Sequence, residues 1–465
     1  MADLNEMLVA WTGEIDSFMY TYILVILLVF VGIYYTIRTK AVQIRYIKDM
    51  FTQLTEKKHV QGEKSISSFQ ALMVSTASRV GTGNIAGIAT AVATGGPGAI
   101  FWMWLMALIG AASAFIESTL AQIYKIRGKE GEFRGGPAYY IQQGLGKRWL
   151  GIIFAWALIL CFAFGFNGLQ AFNMTSALEY YIPDYATNGT AVGVGIVLIV
   201  FTAFVIFGGA KRISIITSII VPIMAIAYIL IALWTTITNI GELPAVFATI
   251  FQSAFNFQSI AGGFAGSVVM LGIKRGLFSN EAGMGSTPHA HAQANVSDPH
   301  DQGVVAMIGV FMDTFVVLTL NALVIISTLY TEGGPLAECG AAAASTTLTN
   351  TNLAQSAFGV VFGAEAGAMF VAVCLFFFAF STVLSWNLFG KINVAYLFGK
   401  KAVPVYSVIA LVFIFMGTLM SNTLVWELTD MFNNLMVIPN AIALFALSNI
   451  VVRVSDRKKS AGKKA

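Results

Sequence analysis

The chain has 465 residues, of which 57% are hydrophobic and only 11% charged, and its formal net charge is +4. Water-soluble domains carry about 25% charged residues, so a soluble enzyme with a solvated shell is excluded and the chain is read as an all-α integral membrane protein. Three cysteines, Cys161, Cys339 and Cys374, are too few and too scattered for a disulfide framework or a thiolate metal site.

The first seventeen residues contain no Lys or Arg and four acids, Asp3, Glu6, Glu14 and Asp16. They lack the basic start of a secretory signal, and the apolar run that follows is expected to be a retained helix. Segments near the roughly 20 apolar residues that cross a hydrocarbon core then recur at 18–37, 66–94, 97–125, 149–180, 190–208, 211–238, 260–292, 303–330, 357–390, 402–422 and 427–451. These make eleven expected spans, so the two termini are expected on opposite sides.

The basic residues orient them. Loops 38–64 and 125–148, the pair Lys211 and Arg212, then Lys391, Lys400 and Lys401, and the tail from Arg453 all fall on one side. Together they hold 24 of the 27 Lys and Arg residues. Loops 181–189, 239–259, 331–356 and 423–426 on the other side hold none. Basic loops stay in the cytoplasm, so the amino terminus is expected outside and the carboxyl terminus inside the cytoplasmic membrane. The basic tail is read as a topology determinant, and no nucleic-acid partner is expected. Four regions follow: 1–64, with the extracellular terminus, an extra first helix and a basic cytoplasmic loop; 65–240; 241–452; and the basic cytoplasmic tail 453–465.

Span two reads STASRVGTGNIAGIATAVATGG, which puts Gly81, Thr82 and Gly83 at mid-membrane. Unwinding there exposes amides and carbonyls that must find partners other than lipid, so a break is tolerated only around a buried site or cavity. Span seven has a comparable interruption, GIKRGLFSNEAGMGS. Sliding the chain by about 196 residues aligns Arg79 with Arg275, Asn84 with Asn280, Ala86 with Ala282 and Gly87 with Gly283, and one span later Glu117 with Asp313. Five spans separate the copies, so the second runs the opposite way. Paired discontinuous helices in an inverted five-helix repeat, here spans 2–6 and 7–11, point to a secondary transporter with a midplane site.

Half-helix amino ends suit a carboxylate and freed carbonyls suit a small cation. The amides of Thr82 and Gly83 are therefore candidates to hold a carboxylate, although glycines also serve close helix packing. Asn84 and Asn280 are expected to tie down the freed backbone. In span four, Phe166, Gln170 and Asn173 share one helical face, an uncharged amide stripe beside an aromatic that fits a small polar substrate or bridges helices. In span nine, the adjacent hydroxyls of Ser381 and Thr382 are oxygen ligands for a hard monovalent cation or bond back to their own helix. Trp386 lies one turn beyond, placed to cap a small pocket or to fill the core.

Glu117 and Asp313 are intramembrane acids, costly on a lipid face and functional candidates by default. Their expected partners are Arg79, Lys274 and Arg275 in structural salt bridges, with Glu281 in a similar part. His289 and His291 are two apart and point to nearly opposite sides of a helix, which argues against a metal pair. No HExxH, GxSxG or P-loop pattern appears, so neither an enzyme nor an ATP-driven pump is expected, and no cofactor is implied.

GGPGAIFWMWLMALIG at 95–110, VGTGNIAG at 80–87 and KRGLFSNEAGMGS at 274–286 resemble the alanine or glycine:cation symporter family, over about residues 65 to 450. The resemblance implies the amino acid–polyamine–cation superfamily architecture and a sodium-coupled importer of small neutral amino acids, alanine or glycine. It implies a sodium site at the carbonyls of Ala77, Val80 and Phe378 and the hydroxyls of Ser381 and Thr382. It also implies a substrate site at Thr82, Gly83, the Phe166–Gln170 face, a span-seven break near Phe278 and Ser279, and Trp386. Gly262 and Gly263 offer an alternative break. Arg79 departs from the small or uncharged residue the family pattern has there. A proton-coupled transporter or exchanger is the rival reading, with Glu117, Asp313 or Glu281 as the carrier.

Overall fold

A computed structural model describes residues 2–55, 65–128, 131–255, 268–331, 334, 336, 350–420 and 422–462. The first crossing helix α1 (Trp11–Arg38) continues a helix that already begins at Ala2, so the stretch expected as an extracellular terminus is helical. A short amphipathic helix α2 (Ile47–Thr55) lies within the basic loop. The interrupted second segment supplies α3 (Ser68–Arg79) and α4 (Ala86–Gly95), followed by the long α5 (Ala99–Ile123).

Within the expected loop 125–148, Ile126 pairs with Arg134 and Arg127 with Phe133 in an antiparallel hairpin, and α6 (Pro137–Leu145) follows. Next come α7 (Arg148–Ser176), α8 (Thr190–Ile206), α9 (Gly209–Thr238) and α10 (Leu243–Ala254), the last of these inside the expected loop 239–259. The second interruption separates α11 (Val268–Asn280) from the short α12 (Pro288–Ala292), and α13 (Pro299–Leu329) follows. Gly262 and Gly263 lie outside the described residues, as does Cys339, while Cys161 and Cys374 are buried free thiols.

The expected span 357–390 is two helices, α14 (Asn350–Phe362) and α15 (Ala364–Phe398). The chain turns between them at Gly363, whose φ of 87° is left-handed and open to glycine. The last helices are α16 (Val403–Gly417) and α17 (Asn422–Gly462), so the start of the basic tail is helical.

Among the described residues, eight helices are long and apolar enough to cross a membrane. The other expected crossings fail on length for a structural reason: the second and seventh are each split in two, and α8 has 17 residues.

Burial is inverted relative to a soluble protein. Ile196, Phe204, Ile223, Leu230 and Val412 are exposed, while Arg79, Glu117, Gln170, Glu281 and Asp313 are buried. Hydrocarbon accepts the former and polar groups must satisfy one another inside. α5 packs against α13 and α11, α3 against α9 and α15, and α7 against α17, while α1 lies on α5 and α17.

Candidate binding site at two helix interruptions

The first interruption begins where α3 ends at Val80. Gly81 is extended, and Thr82–Asn84 form one tight turn before α4. The freed backbone groups find partners inside the protein. Asn84 Oδ1 accepts from the Gly81 amide at 3.2 Å, while Asn321 Nδ2 donates to the carbonyls of Asn84 at 2.8 Å and Ile85 at 3.2 Å.

The second interruption opens at Glu281, later than the break expected near Phe278 and Ser279, which both lie in the last turn of α11. Glu281, Gly283 and Gly285 adopt φ of 52°, 81° and 88°, left-handed values that suit the glycines and strain the glutamate. Asn280 Oδ1 accepts from the Ala282 amide at 3.0 Å.

The two mid-helix acids each hold the other half's break. Glu117 on α5 accepts the amides of Gly283 at 3.3 Å and Gly285 at 3.1 Å, and Nδ2 of Asn440 at 3.2 Å. Asp313 on α13 accepts from Asn84 Nδ2 at 2.7 Å, Ser279 at 2.8 Å and Thr314 at 3.1 Å. The expected salt bridges are replaced by these bonds. Arg79 instead donates to the Asn280 carbonyl at 2.7 Å and to Thr287 at 3.1 Å. Glu281 accepts from Ser78 at 2.9 Å, Ser286 at 2.6 Å and the Trp386 indole at 2.8 Å. Buried charge is tolerated where such bonds surround it.

Between the breaks, α7 presents its amide face. Gln170 Oε1 accepts the Thr82 amide at 3.0 Å, and Asn173 Nδ2 donates to the Thr82 hydroxyl at 2.8 Å. The remaining amide atoms, Gln170 Nε2 and Asn173 Oδ1, are buried without a protein partner. Native interiors seldom leave such groups unsatisfied. Aromatic rings wall the same space: the Phe166 ring centroid lies 4.6 Å from that of Trp386 and 5.1 Å from that of Phe278. A side chain at Gly83 would meet the Phe278 ring at 2.5 Å, so glycine is what lets that ring approach.

On the other flank of the break, Thr382 of α15 donates to the Ala77 carbonyl at 2.7 Å, bringing two of the expected cation ligands together. Ser381 bonds back to the Phe378 carbonyl at 3.1 Å and reaches the Met224 sulfur at 3.6 Å. It thus keeps company with Phe378 on the α9 side. Val80, which follows the last residue of α3, is fully buried.

One charge cluster had no counterpart in the sequence reading. Lys274 pairs with Asp16 at 2.5 Å and with Asp430 at 2.8 Å, and Arg275 lies 3.5 Å from Asp430. Arg275 stacks on Trp426 at 3.8 Å, and Trp426 meets Phe278 edge-on at 5.4 Å. The cluster ties α1, α11 and α17 to one wall of the binding space. Asp430 was legible as an acid within an apolar span; Asp16 was hidden by its place in an acidic terminus.

The chain matches the sodium:alanine symporter family over residues 5–464. It is 43% identical over 440 residues to the amino-acid carrier protein AlsT of Bacillus subtilis, covering 94% of this chain and 90% of that one. It is 40% identical to the sodium/alanine symporter AgcS of Methanococcus maripaludis, covering 96% of each chain. Among solved structures, MhsT in complex with L-phenylalanine superposes with a TM-score of 0.58 at 14% identity, covering 85% of this chain and all of that one. That likeness shows the fold.

Proposed function

The chain belongs to the sodium:alanine symporter family, and on that premise we propose that it imports small neutral amino acids, alanine and glycine, with sodium by alternating access across the cytoplasmic membrane. It is a multi-pass transporter and not an enzyme.

The observation that carries the substrate class is the orphaned pair beside the first break. Gln170 Nε2 is a donor for a carboxylate, and Asn173 Oδ1 is an acceptor for an ammonium. Both side chains are neutral and fully buried, so a zwitterion satisfies them without bringing net charge into the bilayer. In the described arrangement Gln170 Oε1 occupies the Thr82 amide, where a carboxylate oxygen of the substrate takes its place, joined by the amide of Gly83. Phe166, Phe278 and Trp386, with the Phe166 ring centroid 4.6 Å from that of Trp386 and 5.1 Å from that of Phe278, restrict the substrate to a small side chain.

Sodium fits the flank formed by the carbonyls of Ala77, Val80 and Phe378 and the hydroxyls of Ser381 and Thr382. Oxygen donors without a carboxylate suit a hard monovalent ion. Each of the three acids already accepts three hydrogen bonds that fasten the breaks, a structural role that the sodium reading leaves intact. Sodium orders the broken backbone that binds the amino acid, so each ligand raises the other's affinity.

The reading further takes 65–240 and 241–452 as inverted repeats. The bundle formed by spans two, three, seven and eight then rocks against the remaining helices, with the amino terminus outside. Glu117 and Asp313, each gripping the opposite break, keep the two interruptions moving together.

Thr382→Ala tests the cation flank. In proteoliposomes it is expected to raise the sodium concentration for half-maximal uptake about tenfold, the worth of roughly one hydrogen bond, with uptake recovering at high sodium. Ser381→Ala is expected to do less. Sodium activation unchanged in purified Thr382→Ala removes that residue from the site.

A further inference from the structure

A cavity lies away from the interruptions, at the end of the bundle that carries the basic loops. It encloses about 520 Å³ between the 126–134 hairpin, the α8–α9 turn, α15 and α16. Its apolar wall includes Ile206, Phe207, Leu388 and Ile392. Among the described residues, four bases, Arg134, Lys211, Lys391 and Lys400, and one acid, Glu132, line it.

Lys391 is the telling residue. It is only 8% exposed, yet its ammonium meets a single acceptor, the Ile206 carbonyl, at 2.5 Å. Among the described residues no carboxylate pairs with it. An ammonium carries three donors and is costly to bury without a counter-charge. Among the described residues, the one acid that lines the cavity is already engaged: Glu132 lies 2.7 Å from Arg134 and 2.6 Å from Lys400. Partial burial raises its carboxyl, but hydrogen bonds from Lys400 and Arg134 bring it down to about 2. Gly208, Gly209, Ala210 and Lys211, the start of the 30-residue α9, also line the cavity, and no side chain caps that helix end. Its amides add positive character on the same wall.

The surroundings identify the kind of anion. Phe204, Phe207 and Val405, beside the mouth, are all more than half exposed, as on a surface that faces acyl chains. Lys391 stands nine residues beyond Thr382 on α15, about 13 Å along the axis at the helical rise, and so is separate from the binding site. We propose that this cavity holds the phosphate head of an anionic phospholipid of the leaflet on the basic side, with Lys391 as its buried counter-ion and Arg134 and Lys211 at the rim. The placement in that leaflet rests on the orientation proposed above. The hairpin follows α5 of the proposed moving bundle while α15 and α16 belong to the remaining helices, so the lipid clasps parts that the proposed cycle moves against each other.

Native mass spectrometry of the purified full chain reads lipid retention independently of transport. The expected result is retained phosphatidylglycerol, with retention falling about fivefold for each base removed, as for roughly 1 kcal/mol per basic residue at an anionic surface. Lys391→Met and Lys211→Gln are the variants, the second serving if the first fails to fold. Uptake in phosphatidylcholine vesicles is expected to rise when phosphatidylglycerol is added. Millimolar inorganic phosphate in pure phosphatidylcholine is expected to leave it unchanged. Equal retention in wild type and Lys211→Gln overturns the proposal, and so does rescue by inorganic phosphate, which identifies a free-anion site.

Discussion

Asp430→Asn is expected to destabilise the folded protein by about 3–5 kcal/mol, the cost of removing one partner from a buried ion pair. Asp430 is 1% exposed and accepts from Lys274 at 2.8 Å, with Arg275 at 3.5 Å. Lys274 keeps Asp16 at 2.5 Å in the variant, but Arg275 loses its ion pair and keeps the Trp426 ring, 3.8 Å away, with the charge of Glu427 acting only from beyond ion-pair distance. A guanidinium over an indole recovers about 2 kcal/mol at most when desolvated. The double variant Arg275→Met with Asp430→Leu is expected to regain much of the loss, since a matched apolar pair leaves no charge stranded. Unfolding in mixed micelles titrated with SDS measures both. A loss below about 1 kcal/mol for Asp430→Asn is the value of an exposed pair and contradicts a buried latch among α1, α11 and α17.

Gly83→Ala is expected to lower uptake about 100-fold, as for an overpacking cost near 2.7 kcal/mol. The added methyl lies 2.5 Å from one Phe278 ring carbon and 3.0 Å from the next. Phe278 cannot step aside, because Phe166 stands 5.1 Å away and Trp426 5.4 Å away. Relief therefore requires moving the turn that carries the Thr82 and Gly83 amides, and with it the carboxylate end of the proposed site. Phe278→Leu in the Gly83→Ala background is expected to restore part of the uptake by reopening the space. Uptake by Gly83→Ala within twofold of wild type, at equal protein in the vesicles, contradicts a close approach there.

The first interruption was legible because Gly81, Thr82 and Gly83 fall in the middle of an apolar run where a helix has no use for two glycines. The second was legible as a region but not as a position. The sequence there offers Gly276, Gly283 and Gly285, and no local rule says which of them leaves the helix. Tertiary bonds decide it, since Glu117 draws the Gly283 and Gly285 amides from a distance of more than 160 residues in sequence. The same limit hid the crosswise roles of Glu117 and Asp313. Their cost in the bilayer marked them as important, but their partners are two backbone amides, two asparagines and two hydroxyls, which hydropathy and charge pairing do not reveal. Asn321 and Asn440, which complete the two turns, carry no local signal beyond being amides within apolar runs. Helix α10 was read as a loop and α14 was divided between a loop and the start of the ninth span, because each is short and adjoins a longer apolar segment that dominates the periodicity. The orphaned atoms of Gln170 and Asn173 became visible only once their partners on Thr82 were placed.

The central claim is that one neutral site takes a zwitterionic amino acid and that sodium orders it. Titrating alanine onto purified protein, once in sodium and once in choline at equal ionic strength, tests this most directly. The proposed coupling predicts an affinity at least about tenfold higher in sodium, within the usual span of coupling energies, and in Thr382→Ala the same rise only at about tenfold higher sodium. Equal alanine affinity in the two salts contradicts it.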